Sequence, residues 1–244
     1  GRELDDLKGR VELAVSAMSL KHLAWRNLQR YYDGVGQQEY LLAKVTDDRL
    51  KDDIVWTNFV RASLDQYTSV LVRGTPMPYV VAETEEQDDP AKRTTTWLQA
   101  LNRHYNVPAQ QRQCYEKGMV LGNGVLKVYW DKAVDDVAIR ALDPRMVFVD
   151  PTAVRLADAS FVALKNIYSP DLAELLYEDI KVDDAEEAGT VELANGDQDD
   201  AGGEKRIIIW EVYHKFGAKL FIYAGAQELY NEETPLNGRC PIHL

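Results

Sequence analysis

The spacing of apolar residues changes at Gly122, and that change limits the chain to a narrow set of folds. Before it, apolar residues recur mostly at three- and four-residue steps; after it, they come in short β-branched and aromatic runs closed by Asp, Pro or Gly. Leu4, Leu7, Val11, Val15, Met18, Trp25, Leu28 and Tyr32 predict one helix over 3–32, stopped by Asp33-Gly34. A second helix is expected over 53–72, closing at Arg73-Gly74. The prolines of TPMP then force an extended chain into a strand at Tyr79, Val80 and Val81. Two further helices are expected over 91–105 and 108–121, divided at Asn106 and Pro108. Strands follow at 125–131, 137–142, 146–150 and 161–168, then a helix opened by Ser169-Pro170-Asp171, then a β-meander through 205–230. Helices first and strands afterwards make an α+β fold, with a helical part at 1–121 and a β-rich part at 122–244.

Charge is unevenly placed. The chain has 244 residues and a formal net charge of −12. Residues 178–204 hold eleven acids and one lysine, so the remainder carries a net of only −2. This stretch, with its NGDQDD and AGGE turns, predicts a solvated or flexible loop. A protein gripping DNA by its phosphates needs clustered Lys and Arg, and no such cluster is visible, which argues against sequence-specific DNA binding. No apolar run is long enough to span a bilayer and no secretory leader opens the chain. Cys114 and Cys240 form no CxxC pair, so the expectation is a soluble protein of a reducing, cytosolic compartment. The absence of an initiating methionine and the abrupt end at RCPIHL read as a fragment, or a subunit seen in part.

Few motifs offer chemistry. Gly122-Asn123-Gly124 follows a helix and precedes a strand, the reverse of a phosphate cradle, and reads as a turn. His22, His104, His214 and His243 lack metal-ligand spacing, and no HExxH or Gly-x-Ser-x-Gly occurs. Trp130, Trp210, Tyr213, Phe216, Phe221 and Tyr223 lie on expected strands and read as core. Lys127, Lys215 and Lys219 are too few to build a nucleic-acid groove around them. Asp131, Asp143 and Asp150 remain. All three end expected strands, where converging carboxylates could hold metal ions. Each also stands where a turn is required, and Asp143 and Asp150 precede prolines that end a ladder. The turn reading is favoured, with no catalytic, cofactor-binding or metal residue assigned and no cofactor expected.

The order of certain pieces resembles tailed-bacteriophage portal proteins. They are YYDG (31–34), VRGTPMPYVV (72–81), GMVLGNGVLKVYWD (118–131), AIRALDPRMVFVDPTAVRLADASFVAL (138–164), SPDLAELL (169–176) and WEVYHKFG (210–217). The resemblance implies a wing-domain fold in which the Asp-Pro pairs punctuate a β-region and do no catalysis. It implies a dodecameric homo-oligomeric ring at the capsid vertex, through which viral double-stranded DNA is packaged and ejected without sequence recognition. The implied partners are the major capsid protein, scaffolding protein, terminase, and head-completion or tail proteins. The implied location is the virion, with assembly in the host cytoplasm. A chain ending at Leu244 is expected to lack the family's stem and clip, so no channel-lining residue can be assigned. Two other readings stand beside this one: a metal-dependent nuclease using Asp131, Asp143 and Asp150, and a different head-tail adaptor protein.

Overall fold

The computed structural model describes residues 2–46, 57–73, 77–131, 135–185, 206–214, 218–234 and 240–243. The helix stop at Gly74, Lys215, Phe216 and most of the acidic segment, with its NGDQDD and AGGE turns, lie outside the described residues. The fold is α+β. Among the described residues, six α-helices precede the first strand: α1 Arg2–Ala17, α2 Ser19–Asp33, α3 Val35–Lys44, α4 Phe59–Arg73, α5 Asp88–His104 and α6 Val107–Leu121. One short helix, α7 Pro170–Leu176, comes later. The strands are β1 Val125–Asp131, β2 Asp136–Leu142, β3 Val147–Val149, β4 Phe161–Tyr168, β5 Ile207–His214, β6 Lys219–Ala224, β7 Gln227–Glu233 and β8 Ile242–His243. Two antiparallel sheets result, in the orders β2-β1-β8 and β3-β4-β5-β6-β7.

The chain divides into two compact units that interleave along the sequence. The first comprises 1–56 and 144–241, the second 57–143 and 242–244. The change of period at 121–122 is therefore a change in secondary-structure type, and both units draw on either side of it.

In the first unit the five-stranded sheet is covered on both faces. Phe148, Phe161, Ala163, Ile208, Trp210, Val212, Phe221 and Tyr223 form one face and pack against Leu4, Leu7, Val11 and Ala14 of α1. Ile207, Ile209 and Ala224 form the other, under Ala173 of α7 and the following Ile180 and Ala185. Double coverage explains the nearly unbroken apolar run of β5, where a half-exposed strand would alternate. It also alters the expectation for the start of the acidic segment. Between 178 and 185 the acids alternate with apolar residues that are buried on the sheet, and Gln227 clasps the backbone of Lys181 through both its N–H and its carbonyl.

The single helix expected over 3–32 is two. Met18 sits at φ −89°, ψ −2° between α1 and α2, and its N–H is shared between the carbonyls of Ala14 and Val15. The buried stripe of α1 steps 4, 7, 11, 14, so it falls on the small Ala14 while the larger Val15 faces solvent. Gly34 ends α2 as expected, at φ 88° with its N–H on the Tyr31 carbonyl; α3, unforeseen in the sequence, begins at once.

In the second unit α6 packs on both α4 and the β1–β2 hairpin. Asn106, at φ 49°, separates α5 from α6, and Gly122, at φ 80°, ends α6, both in the left-handed region. Gly124 has a different reason to be glycine: a Cβ there would lie 2.5 Å from the Cys114 carbonyl oxygen and 2.6 Å from its Sγ. Gly122-Asn123-Gly124 is thus a helix stop followed by a close crossing of strand over helix. The strand expected at 79–81 has no sheet partner among the described residues. The Val80 N–H donates instead to the Thr95 hydroxyl of α5, 2.8 Å away, so the segment lies along a helix and not in a sheet.

Candidate functional site

Among the described residues, Asp150 is the one carboxylate that is buried. Its side chain is 8% exposed, and both oxygens are taken. Oδ1 accepts from the Thr152 N–H at 3.0 Å and the Thr152 hydroxyl at 2.6 Å; Oδ2 accepts from the Ser160 N–H at 3.2 Å and from the Ser160 hydroxyl. Arg10 of α1 donates to that same Ser160 hydroxyl and lies 3.8 Å from Oδ2. Burial, the strongest single influence, opposes the charge. The bonds from Ser160 and Thr152 together outweigh it and hold the carboxyl far below the usual carboxylate range. A carboxylate with four donors already in place has little left to offer a metal ion. What it does is close the turn after β3, tie that turn to the start of β4, and through Ser160 fasten both to α1. The Thr152 bond is the local turn contact that the Asp-Pro pattern predicts. The Ser160 and Arg10 partners, ten and 140 positions away, carry no sequence signal.

The other two candidate acids do not converge. Asp131 ends β1 opposite Asp136, whereas Asp143 follows β2 at the far end of the same hairpin, where Leu142 pairs with Val125. At about 3.3 Å per residue the two are on the order of 20 Å apart along the strands, several times what a shared metal site allows. Asp143 accepts an ion pair from Lys117 of α6 at 3.2 Å, and Asp131 lies 3.7 Å from Arg140. Asp136, missed as a site residue, accepts from the Tyr105 hydroxyl at 2.7 Å and from the Val137 N–H at 2.7 Å. These bonds, the tyrosine's first, lower its pKa, and His104 stands 3.5 Å away. Among the described residues, no group of three His, Cys, Asp or Glu side chains is placed to hold a metal ion.

The histidines are dispersed. His22 packs between Trp25 and Phe148, His104 lies edge-on to Tyr105, His214 is edge-on to Phe221, and His243 is on β8. Both cysteines are free thiols, and burial pushes the Cys114 pKa up. Of the strand aromatics, Trp210, Tyr213, Phe221 and Tyr223 are buried, but Trp130 is 55% exposed and is not core. It lies one residue from the end of β1, beside the hairpin turn. Lys219 is held by Glu3 at 2.8 Å, and Lys127 is buried with its ammonium 4.5 Å from the centre of the Tyr129 ring.

Apolar exposure is more telling than any polar cluster. On α2, Leu20, Leu23, Leu28 and Tyr31 are exposed along one side of the helix; on α4, Phe59, Val60, Tyr67, Val70 and Leu71 are exposed. At 100° per residue the α4 set occupies an arc of about 120° that contains no charged residue. Surfaces of this kind mark contact with other molecules. No helix among the described residues is long and apolar enough to cross a membrane.

A doubly covered antiparallel sheet, carboxylates committed to turns and ion pairs, and uncovered apolar helix faces together describe a structural, assembling protein. The family model for Phage P22-like portal proteins matches residues 8–235, most of the chain and parts of both units, and the chain belongs to that family. No curated protein matches it. The role that follows is the structural one of a phage portal protein.

Proposed function

We propose that this chain supplies the wing region of a portal subunit. Copies of it close into a ring, dodecameric in the assembled particle, at one capsid vertex. Double-stranded DNA enters and leaves through the ring without sequence recognition. The major capsid protein and scaffolding protein surround it, terminase docks during packaging, and head-completion or tail proteins attach afterwards. Assembly takes place in the host cytoplasm.

The family match over residues 8–235 carries this reading. The exposed apolar faces of α2 and α4 support it, because a subunit in a head-to-tail ring makes a different contact on each side and needs surface for both. The nuclease reading loses its support with the separation of Asp131 from Asp143 and the saturation of Asp150. Native mass spectrometry of the purified full-length protein tests the proposal. It predicts one closed oligomer of about twelve copies; a monomer that persists at micromolar concentration, alone and with capsid protein, contradicts it.

A further inference from the structure

Residues 77–82 run along α5 as a lone extended strap. Asn102 reaches the Met77 sulfur at 3.7 Å, Gln99 the Pro78 carbonyl at 3.5 Å, and Thr95 the Val80 N–H at 2.8 Å. Three steps of strap therefore match seven of helix, about 10 Å at 1.5 Å per residue, which is the rise of a β-strand. In an extended chain the N–H and C=O groups of alternate residues point to opposite sides. Pro78 and Val80 turn theirs toward α5, so Tyr79 and Val81 turn theirs away. Those groups have no hydrogen-bond partner among the described residues, and Tyr79 and Val81 are 74% and 72% exposed. The strap is a strand with β-favouring side chains, one edge fixed and the other open.

Its surroundings choose the occupant. Glu83, Glu85 and Glu86 follow, all exposed and none with a basic partner among the described residues; of the next acids, Asp88 is paired with Lys92 at 2.6 Å. A strand laid on this edge must bring positive charge. The described edge strands of the chain do not offer one: β8 has only two residues, and the other three are acidic, bonded or buried. The outer edge of β7 carries Glu228, Glu232 and Glu233; the Ala141 N–H of β2 is already bonded to Gln110 at 2.9 Å and that of Val137 to Asp136; Val147 and Phe148 of β3 are buried. The geometry points to strand addition by a different protein: an extended segment ending in Lys or Arg pairs with the Tyr79–Val81 edge, its basic end against Glu83–Glu86. Main-chain bonds would supply the affinity and the acids the orientation. This inference goes beyond the ring reading and does not depend on it.

The test uses the full-length protein and a ten-residue peptide of alternating valine and threonine with two lysines at its N-terminus, set against the same peptide with two glutamates. The lysine peptide is expected to bind at least about ten-fold more tightly at low salt, the gap narrowing as salt screens the acids. Residue-resolved hydrogen exchange is expected to slow at Tyr79 and Val81 and to stay unchanged at Val80, whose N–H is already bonded. Val81→Pro, which deletes a donor from the open edge, is expected to lose about ten-fold in affinity. Glu83→Lys with Glu85→Lys and Glu86→Lys is expected to reverse the peptide preference, which keeps the test informative if the proline variant folds poorly. Equal binding of both peptides, or unchanged exchange at Tyr79 and Val81, overturns the proposal. So does protection of those two amides that grows with the protein's own concentration and needs no peptide, because the occupant is then a second copy.

Discussion

The five-stranded sheet of the first unit and helix α4 of the second use their apolar residues in opposite ways. The sheet hides most of its own: Phe161, Ile207, Ile209, Val212 and Phe221 have essentially no contact with solvent. In the second unit, α4 turns Phe59, Tyr67 and Val70 outward, and its one fully buried side chain is Thr68. A sheet covered on both faces closes on itself. A helix packed on one side against α6 keeps an uncovered side. The difference teaches that the sheet's apolar sequence is spent on its own fold, whereas much of that of α4, like that of α2 in the first unit, serves surface.

The strongest way to break that contrast is to hollow out the sheet. Phe161→Ala should cost about 3–5 kcal/mol, seen as a drop in the denaturant midpoint, because Phe161 is fully buried in the α1-covered face. A loss near zero would mean that the sheet does not anchor the first unit. Within the second unit stability should sit at the crossing of α6 and β1, not on the exposed arc of α4. Gly124→Val should therefore cost about 1–3 kcal/mol in thermal unfolding, since the added carbons meet the Cys114 backbone as well as its sulfur.

Asp150→Asn should destabilise by about 1–3 kcal/mol, through loss of the charge that Ser160 and Thr152 surround. Its pH dependence sharpens the point. The native carboxyl titrates well below the unfolded value of about 3.9, so its contribution is complete above about pH 4 and is lost as pH falls toward the native pKa. The wild type should lose stability faster than the asparagine variant as pH drops below about 4; parallel curves in acid titration would contradict that. At the other extreme, burial first and then the Glu211 carboxylate push the Tyr213 hydroxyl pKa far up. Stability from that group is present below about pH 10 and declines as pH rises above it. Absorbance at alkaline pH should show Tyr213 silent until the protein unfolds. The smallest effect belongs to the exposed face of α4: Tyr67→Ser should change the stability of the isolated chain by no more than about 0.5 kcal/mol. A larger loss would show that this face is part of the fold after all.

Most of the fold was legible because its signals are local. Strands β1 and β4 run over the residues that their β-branched runs predict, and the stops at Gly34, Asn106 and Gly122 follow from the left-handed backbone each adopts. What failed needed information from outside the segment. The break at Met18 is invisible because the apolar spacing runs straight through it, and Tyr79-Val80-Val81 reads as strand although the chain beside it is a helix. Trp130 has the composition of a core strand residue yet is exposed, which its local sequence does not reveal. The Asp-Pro turns were readable as turns, and Thr152 binds Asp150 as that pattern requires. That Arg10 and Ser160 complete the setting depends on a pairing across 150 residues, which no local pattern encodes.

The central claim is that this is a structural ring subunit in which the conspicuous aspartates hold turns. Electron microscopy of the full-length assembly tests it most directly. The account predicts closed rings with a central opening wide enough for duplex DNA, formed equally by the wild type and by an Asp143→Asn variant. Monomers or compact dimers without an opening would contradict it.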